Sequence, residues 1–303
     1  MKPNPAILCP IDFSDASLVA LRYGRLVAEH VATRLVILAV EDPLLTEAIE
    51  LGTGMSWSAD DTRQELARFA GRVLDSPPTI QSSVEYEVAV GKPANQILTL
   101  AREKNCDLIV MSTHGLTGMR KLFFGSTTER VLRETTMPVL AISGSEPVAS
   151  LEDVRRVVGR ILVPVDLSPT SLHQIQIASG LAEALQVPLI VTHVVEPVRS
   201  PLAAKLHLPS IELERRARAE DALADLLANV PGQLQREALV VFGDPAEEIA
   251  KIARDRRAGL IVIGLQGSPL LGPHMGSVTY RVLCLSSALA LALPPPQPAS
   301  LPA

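Results

Sequence analysis

The chain has 303 residues, 47% of them hydrophobic and 20% charged, so it is long enough for about two domains with ordinary apolar cores. Its net charge of −5 excludes a general electrostatic attraction for nucleic acids or anionic membranes. The three cysteines form neither a disulfide framework nor a metal-ligand motif, and no apolar stretch has the length of a signal peptide or a membrane span. We therefore expect a soluble, cytoplasmic protein with no nucleic-acid or membrane partner.

The first half of the chain alternates short apolar runs with helical patterns. Because the runs are apolar throughout, they are typical of strands buried on both faces of a parallel sheet. They lie at residues 6–11, 35–40, 84–90, 108–112 and 138–142. Helical patterns follow at residues 17–32 and 93–104, the second with proline at its first position. This order predicts an α/β fold with a doubly wound, mostly parallel five-stranded sheet of the Rossmann-like type.

The second half of the chain repeats the first in the same order. ILCPIDFSDAS from Ile7 returns as ILVPVDLSPTS from Ile161, and CDLIVMSTHG and FFGSTTERVL return as AGLIVIGLQG and HMGSVTYRVL. The nearly constant offset indicates an internal duplication. We place the two copies at residues 1–146 and 158–294. Residues 144–160 are predicted to be a linker that leads into a strand, and residues 295–303 a disordered tail.

Two loops at the carboxyl ends of strands are the candidate ligand site, because ligands bind there when the strand order reverses. Asp12 ends the first strand and could accept hydrogen bonds from a ligand; capping of the next helix by Asp12 or Ser14 is the alternative. After the fourth strand come Ser112 and Gly115, and residues 125–127 then open a helix with free amides that favour phosphate.

Together, these loops resemble the ATP-binding branch of the universal stress protein family, and the resemblance covers nearly the whole chain. In that family a Gly-x2-Gly-x9-Gly-(Ser/Thr) motif follows the fourth strand, and an Asp ends the first. The resemblance implies that this Asp and a Val at the end of the second strand contact adenine, and that the glycine motif holds ribose and phosphates. The residues implied in the first copy are Asp12, Val40, Ser112, Gly115, Gly125, Ser126 and Thr127. Those implied in the second copy are Asp166, Val194, Gly264, Gly267, Gly276 and Ser277.

Both copies depart from the family pattern. Ser112 stands where the family has its first glycine, which adds a hydroxymethyl group to a place of close approach. In the second copy only eight residues separate Gly267 from Gly276, and Pro269 and Pro273 remove amide donors from that loop. We therefore expect the first copy to be the better nucleotide site.

The resemblance implies a regulatory protein of the stress response that binds ATP with Mg²⁺ and acts through protein partners. It also implies association through the last strands, so we expect residues 137–142 and 289–293 to pair within the chain as a pseudo-dimer, and chains to form homodimers. A nucleotide-free interaction protein and a slow adenine-nucleotide hydrolase are the alternatives. We expect no enzyme, because residues 112–125 contain no Asp or Glu as a general base or metal ligand.

Overall fold

A computed structural model of the chain describes residues 5–44, 47, 58–74, 83–113, 125–144, 148–197, 209–231, 235–268 and 272–296. The chain divides into two compact units, Met1–Val154 and Arg155–Ala303. Of the predicted disordered tail, residues 297–303 lie outside the described residues.

Unit one contains a five-stranded parallel sheet, as predicted. Its strands are β1 (Ala6–Ile11), β2 (Arg34–Glu41), β3 (Val84–Val90), β4 (Cys106–Ser112) and β5 (Val139–Ile142). Its helices are α1 (Asp15–His30), α2 (Ala59–Leu74), α3 (Pro93–Glu103) and α4 (Ser126–Glu134). The strand order is β3-β2-β1-β4-β5, and each neighbouring pair is parallel. The order reverses between β1 and β4, which is where such sheets bind ligands.

Unit two repeats this sheet with the order β8-β7-β6-β9-β12, again with parallel neighbours. Its strands are β6 (Ile161–Pro164), β7 (Leu189–Val195), β8 (Arg236–Phe242), β9 (Leu260–Gly264) and β12 (Leu289–Leu293). A short antiparallel pair, β10 (Gln266–Ser268) and β11 (Gly272–His274), follows β9. The helices are α6 (Ser171–Leu185), α7 (Pro209–Ala228), α8 (Pro245–Asp255) and α9 (Ser277–Leu285). The doubly wound α/β fold predicted for each copy is confirmed.

The duplication extends to unusual backbone conformations. Phe13 and Leu167, which follow β1 and β6, both have φ of 61°. Gly91 and Gly243, which precede α3 and α8, have φ of 145° and 151°. Left-handed conformations are unfavourable for side chains such as Phe and Leu, so their repetition shows that the turn after the first strand requires this geometry.

The segment predicted as a linker holds the boundary between the two units and contains a helix, α5 (Leu151–Val158), which the sequence analysis did not predict. Its start is a capping box: the Ser150 hydroxyl accepts from the Asp153 amide at 3.2 Å, and the Asp153 carboxylate accepts from the Ser150 amide at 3.1 Å. Val148 and Val158 are both buried and anchor the segment at its two ends. The Ser-x-x-Asp spacing was the signal that the linker prediction overlooked.

Helices α3 and α8 are equivalent but begin differently, which allows a matched test of capping. Asp244 accepts from the amides of Ala246 and Glu247 at 3.1 and 3.2 Å, whereas Lys92, at the same position of α3, makes no capping hydrogen bond. We expect Asp244→Ala to lower the free energy of unfolding by about 1 kcal/mol, and Lys92→Asp to raise it by about as much. Urea unfolding measures both changes.

Asp244 also pairs with Arg281 at 2.7 Å, so Arg281→Ala is the control that separates the ion pair from the cap. Because this ion pair is exposed, the control should be close to wild type in stability. A Lys92→Asp variant no more stable than wild type would contradict the capping argument.

Candidate functional site

A cavity of about 230 Å³ lies at the carboxyl ends of β1 and β4. These strands pair only as far as Leu8 and Ile109 and then diverge, which leaves a crevice between them. Six of the seven residues predicted for the first copy line the cavity: Asp12, Val40, Ser112, Gly125, Ser126 and Thr127. The seventh, Gly115, lies outside the described residues. Small-molecule sites hold about 300–1,000 Å³, so the described walls enclose part of such a site.

The turn after β1 positions Asp12 at this cavity. Because Phe13 is left-handed, the Ser14 amide and hydroxyl both reach Asp12 Oδ1, at 3.1 and 2.5 Å. The Ser14 hydroxyl in turn accepts from the Ser17 amide at 3.1 Å and is the N-cap of α1. Capping is therefore the role of Ser14, while Asp12 holds Ser14 in place and remains exposed at the cavity wall.

The beginning of α4 differs in one respect from the prediction. The Gly125 amide is not free, because it donates to the carbonyl of Thr113 at 2.8 Å. A Cβ on Gly125 would lie 3.1 Å from that carbonyl oxygen, so glycine allows the close approach. The amides of residues 126–127 belong to the first helical turn, which has no intrahelical acceptors and carries the positive end of the helix dipole. Thr128 fixes this turn by donating to the Ser112 carbonyl at 2.8 Å.

Four apolar side chains also line the cavity. Leu38 and Val40 come from β2, Ile97 from α3 and Met111 from β4. Sequence reasoning proposed only Val40 of these four. The signal for Ile97 was its place one helical turn after Pro93, which also lines the cavity.

Asp166 of unit two makes local hydrogen bonds similar to those of Asp12. Asp166 accepts from the Ser168 amide at 2.9 Å and from the Ser171 hydroxyl at 3.0 Å. Burial raises the pKa of Asp166, but these hydrogen bonds outweigh it and leave the pKa below its ordinary value. Gly267 pairs with Pro273 in the β10–β11 ladder.

The remaining predicted residues of unit two lie at the ends of elements. Val194 lies near the end of β7, Gly264 ends β9, and Gly276 and Ser277 begin α9. Their role in binding stays a prediction.

The lowered pKa of Asp166 predicts a pH dependence of stability. A carboxylate whose folded-state pKa is lowered stabilises the fold above its unfolded pKa of about 3.9, and this contribution is lost as the pH falls through the folded-state value. We expect Asp166→Asn to lose less stability than wild type between pH 6 and pH 3, measured by urea unfolding. Ser171→Ala removes one donor but keeps the carboxylate, so it should retain part of the pH dependence. An Asp166→Asn variant with the full wild-type slope would contradict the assignment.

Helices that could span a membrane and clusters of metal ligands are both absent from the described residues. None of their helices is long and apolar enough to cross a membrane. No group of three or more His, Cys, Asp or Glu among them could hold a metal ion.

Tandem doubly wound α/β units with a cavity at the switch point define the class of protein, and sequence comparison identifies the family. The sequence model of the Universal stress protein family matches residues 4–143 and 158–288. The chain therefore belongs to the universal stress protein family and carries two tandem copies of its domain.

Curated relatives match about one copy at a time. Universal stress protein MJ0531 of Methanocaldococcus jannaschii is 30% identical over 138 residues, which cover 45% of this chain and 80% of the relative. Universal stress protein YxiE of Bacillus subtilis is 30% identical over 144 residues, covering 45% of this chain and 97% of the relative.

Solved structures match both copies together. A universal stress protein from Archaeoglobus fulgidus has a TM-score of 0.63 at 19% identity and covers 96% of this chain and 98% of its own. A protein of unknown function from Pseudomonas aeruginosa has a TM-score of 0.66 at 18% identity, covering 96% and 93%. At these identities the likeness shows the tandem fold.

Proposed function

We propose that the protein is an ATP-binding regulator of the stress response and that the nucleotide binds in the cavity of unit one. The proposal rests on one observation: apolar side chains, an exposed carboxylate and a helix N-terminus all line the same cavity. An adenine nucleotide presents the matching groups: a flat apolar base, donor groups on base and ribose, and a polyphosphate.

Each part of the cavity has a role in this proposal. The base packs against the apolar wall formed by Leu38, Val40, Ile97 and Met111. The carboxylate of Asp12 accepts hydrogen bonds from the amine or hydroxyl groups of the ligand. The phosphates lie at the start of α4, where the amides of residues 126–127 and the helix dipole favour negative charge.

Mg²⁺ enters the proposal with the nucleotide. Because the described residues offer no cluster of metal ligands, the ion would be held mainly by the phosphate oxygens. It would neutralise part of the polyphosphate charge. The chain's own contribution is to orient the nucleotide through the first turn of α4.

We also propose that nucleotide binding regulates protein partners and does not serve catalysis. Hydrolysis needs a group that activates water beside the phosphates. The described cavity wall carries one carboxylate, Asp12, which lies in the turn after β1 rather than at the start of α4. Pairing of the last strands, homodimer formation and a cytoplasmic location belong to the same proposal and rest on the sequence.

Thermal unfolding with ATP and Mg²⁺ tests the binding proposal. A ligand that binds only the folded state stabilises it by about 2.7 kcal/mol at 100 times Kd, so we expect the Tm to rise by several degrees at millimolar ATP. GTP, with a different base edge, and Mg²⁺ alone are the controls. An unchanged Tm with millimolar ATP, ADP and AMP would refute nucleotide binding and favour the nucleotide-free interaction protein.

A further inference from the structure

The two units differ in a pair of residues, one in the first helix of the unit and one at the end of the strand that follows the crevice. In unit one, Ala20 of α1 is buried, and Ser112 ends β4. At the equivalent positions, unit two has Gln174 in α6 and Gly264 at the end of β9. Unit one thus pairs a small side chain, Ala20, with Ser112, whereas unit two pairs a large polar side chain, Gln174, with Gly264.

Gln174 lies inside the crevice of unit two. Its side-chain amide is buried and donates to the carbonyls of Pro164 at 2.8 Å and Val262 at 2.9 Å, so it bridges β6 and β9 where they cease to pair. A Cβ on Gly264 would lie 3.0 Å from Gln174 Oε1. Gln174 Oε1 would have to shift by a few tenths of an ångström to accommodate a Cβ at position 264, so this packing favours glycine there.

A second feature of unit two lies after β9, at the same end of the sheet. The segment after β9 is folded into the β10–β11 ladder, in which Gly267 lies opposite Pro273. In unit one, the equivalents of Pro164 and Gly264, namely Pro10 and Ser112, line the cavity instead.

We infer that the side chain of Gln174 occupies the ligand site of unit two. The chain then binds one nucleotide, in unit one. This inference rests on the proposed function. It also accounts for Ser112: by equivalence with Gly264, its Cβ is directed toward the α1 side of the sheet, where unit one has the small side chain of Ala20 in place of a glutamine. Serine at the family's first glycine position is then compatible with a nucleotide in the cavity.

Calorimetric titration with ATP and Mg²⁺ counts the sites in the full chain. We expect about one ATP per chain for wild type, and no remaining tight binding in Asp12→Ala. Two sites of similar affinity in wild type, or a full-affinity site that survives Asp12→Ala, would overturn the inference. Absence of any ATP binding by wild type would instead refute the proposed function.

The role of Gln174 is tested by introducing glutamine and glycine, the pair found at positions 174 and 264, at the equivalent positions of unit one. We expect Ala20→Gln with Ser112→Gly to weaken ATP binding at least tenfold while Tm and circular dichroism stay near wild type. The single variant Ser112→Gly gives the effect of losing the serine, against which the double variant is compared. A folded double variant that binds ATP as tightly as Ser112→Gly would overturn the assignment of Gln174 as a site-filling group.

A second pair of variants tests the packing without any nucleotide. Gly264→Ser should lower the Tm because its Cβ meets Gln174. Adding Gln174→Ala, which recreates the unit-one pair, should recover part of the loss. If Gly264→Ser is as stable as wild type, Gln174 does not occupy the crevice as described, and the inference fails.

Discussion

Gly24→Ala is expected to be strongly destabilising although it adds a single methyl group. Gly24 is buried in α1, where an added Cβ would lie far inside the contact distance of Cys9 Sγ on β1. Cys9 is fully buried in the central strand of the sheet, so neither group can move without shifting α1 from the sheet. Overpacking of this kind costs about 1–3 kcal/mol. Chemical unfolding monitored by circular dichroism measures the loss.

Gly180→Ala is the matched control, because Gly180 lies in the equivalent helix α6 and its added Cβ would meet no atom within 4 Å. Alanine there should raise the free energy of unfolding by about 0.5–1 kcal/mol, as in any exposed helix interior. Cys9→Ala in the Gly24→Ala background removes Sγ and should recover much of the stability. Equal effects of Gly24→Ala and Gly180→Ala would contradict the close approach of α1 to β1.

Ser126→Asp is expected to weaken ATP binding about tenfold or more without lowering stability. Ser126 is exposed and is the first residue of α4, so the new carboxylate would lie where the phosphates are proposed to bind. Two like charges about 4 Å apart repel by about 1 kcal/mol in water and more near a protein surface, and 1.4 kcal/mol is a tenfold change in Kd. The same carboxylate interacts favourably with the helix dipole. Titration calorimetry gives the affinity, and thermal unfolding without ligand gives the stability.

Ser277→Asp, at the first residue of α9, places the same charge at the equivalent helix and measures the stabilising part alone. Ser126→Ala removes the hydroxyl without adding charge and separates repulsion from a lost hydrogen bond. Full ATP affinity in Ser126→Asp would place the phosphates elsewhere.

The strands were the most predictable part of this molecule, and the predicted residues 6–11 and 84–90 coincide with β1 and β3. β1 is an apolar run, whereas β3 carries Glu85 and Glu87 and is only half-buried, so the prediction that every strand is buried on both faces is wrong for β3. The doubly wound, parallel arrangement in each copy followed from the βαβ pattern and the duplication, whereas the order of the strands comes from the structure. The helix in the linker was not predicted, because composition alone does not reveal the capping box of α5, which depends on residue spacing.

A site residue could be predicted where its type alone indicates its role. It could not be predicted where the role depends on a contact between residues distant in the sequence. Asp12 and the start of α4 were named from the sequence, but the use of Ser14 as the cap depends on the left-handed Phe13. Gln174 could not be named, because its partner Val262 lies 88 residues away and its meaning depends on the crevice between two strands. The Gly125 amide was misassigned for a similar reason, since the Thr113 carbonyl that accepts from it lies at the other end of the loop.

The pairing of position 20 with 112, and of 174 with 264, also has a consequence for exchanging segments between the two copies. A Cβ at position 264 would lie 3.0 Å from Gln174 Oε1, so glutamine with serine is the tightest of the four possible combinations. A chimeric chain should therefore keep Ala20 together with Ser112, and Gln174 together with Gly264.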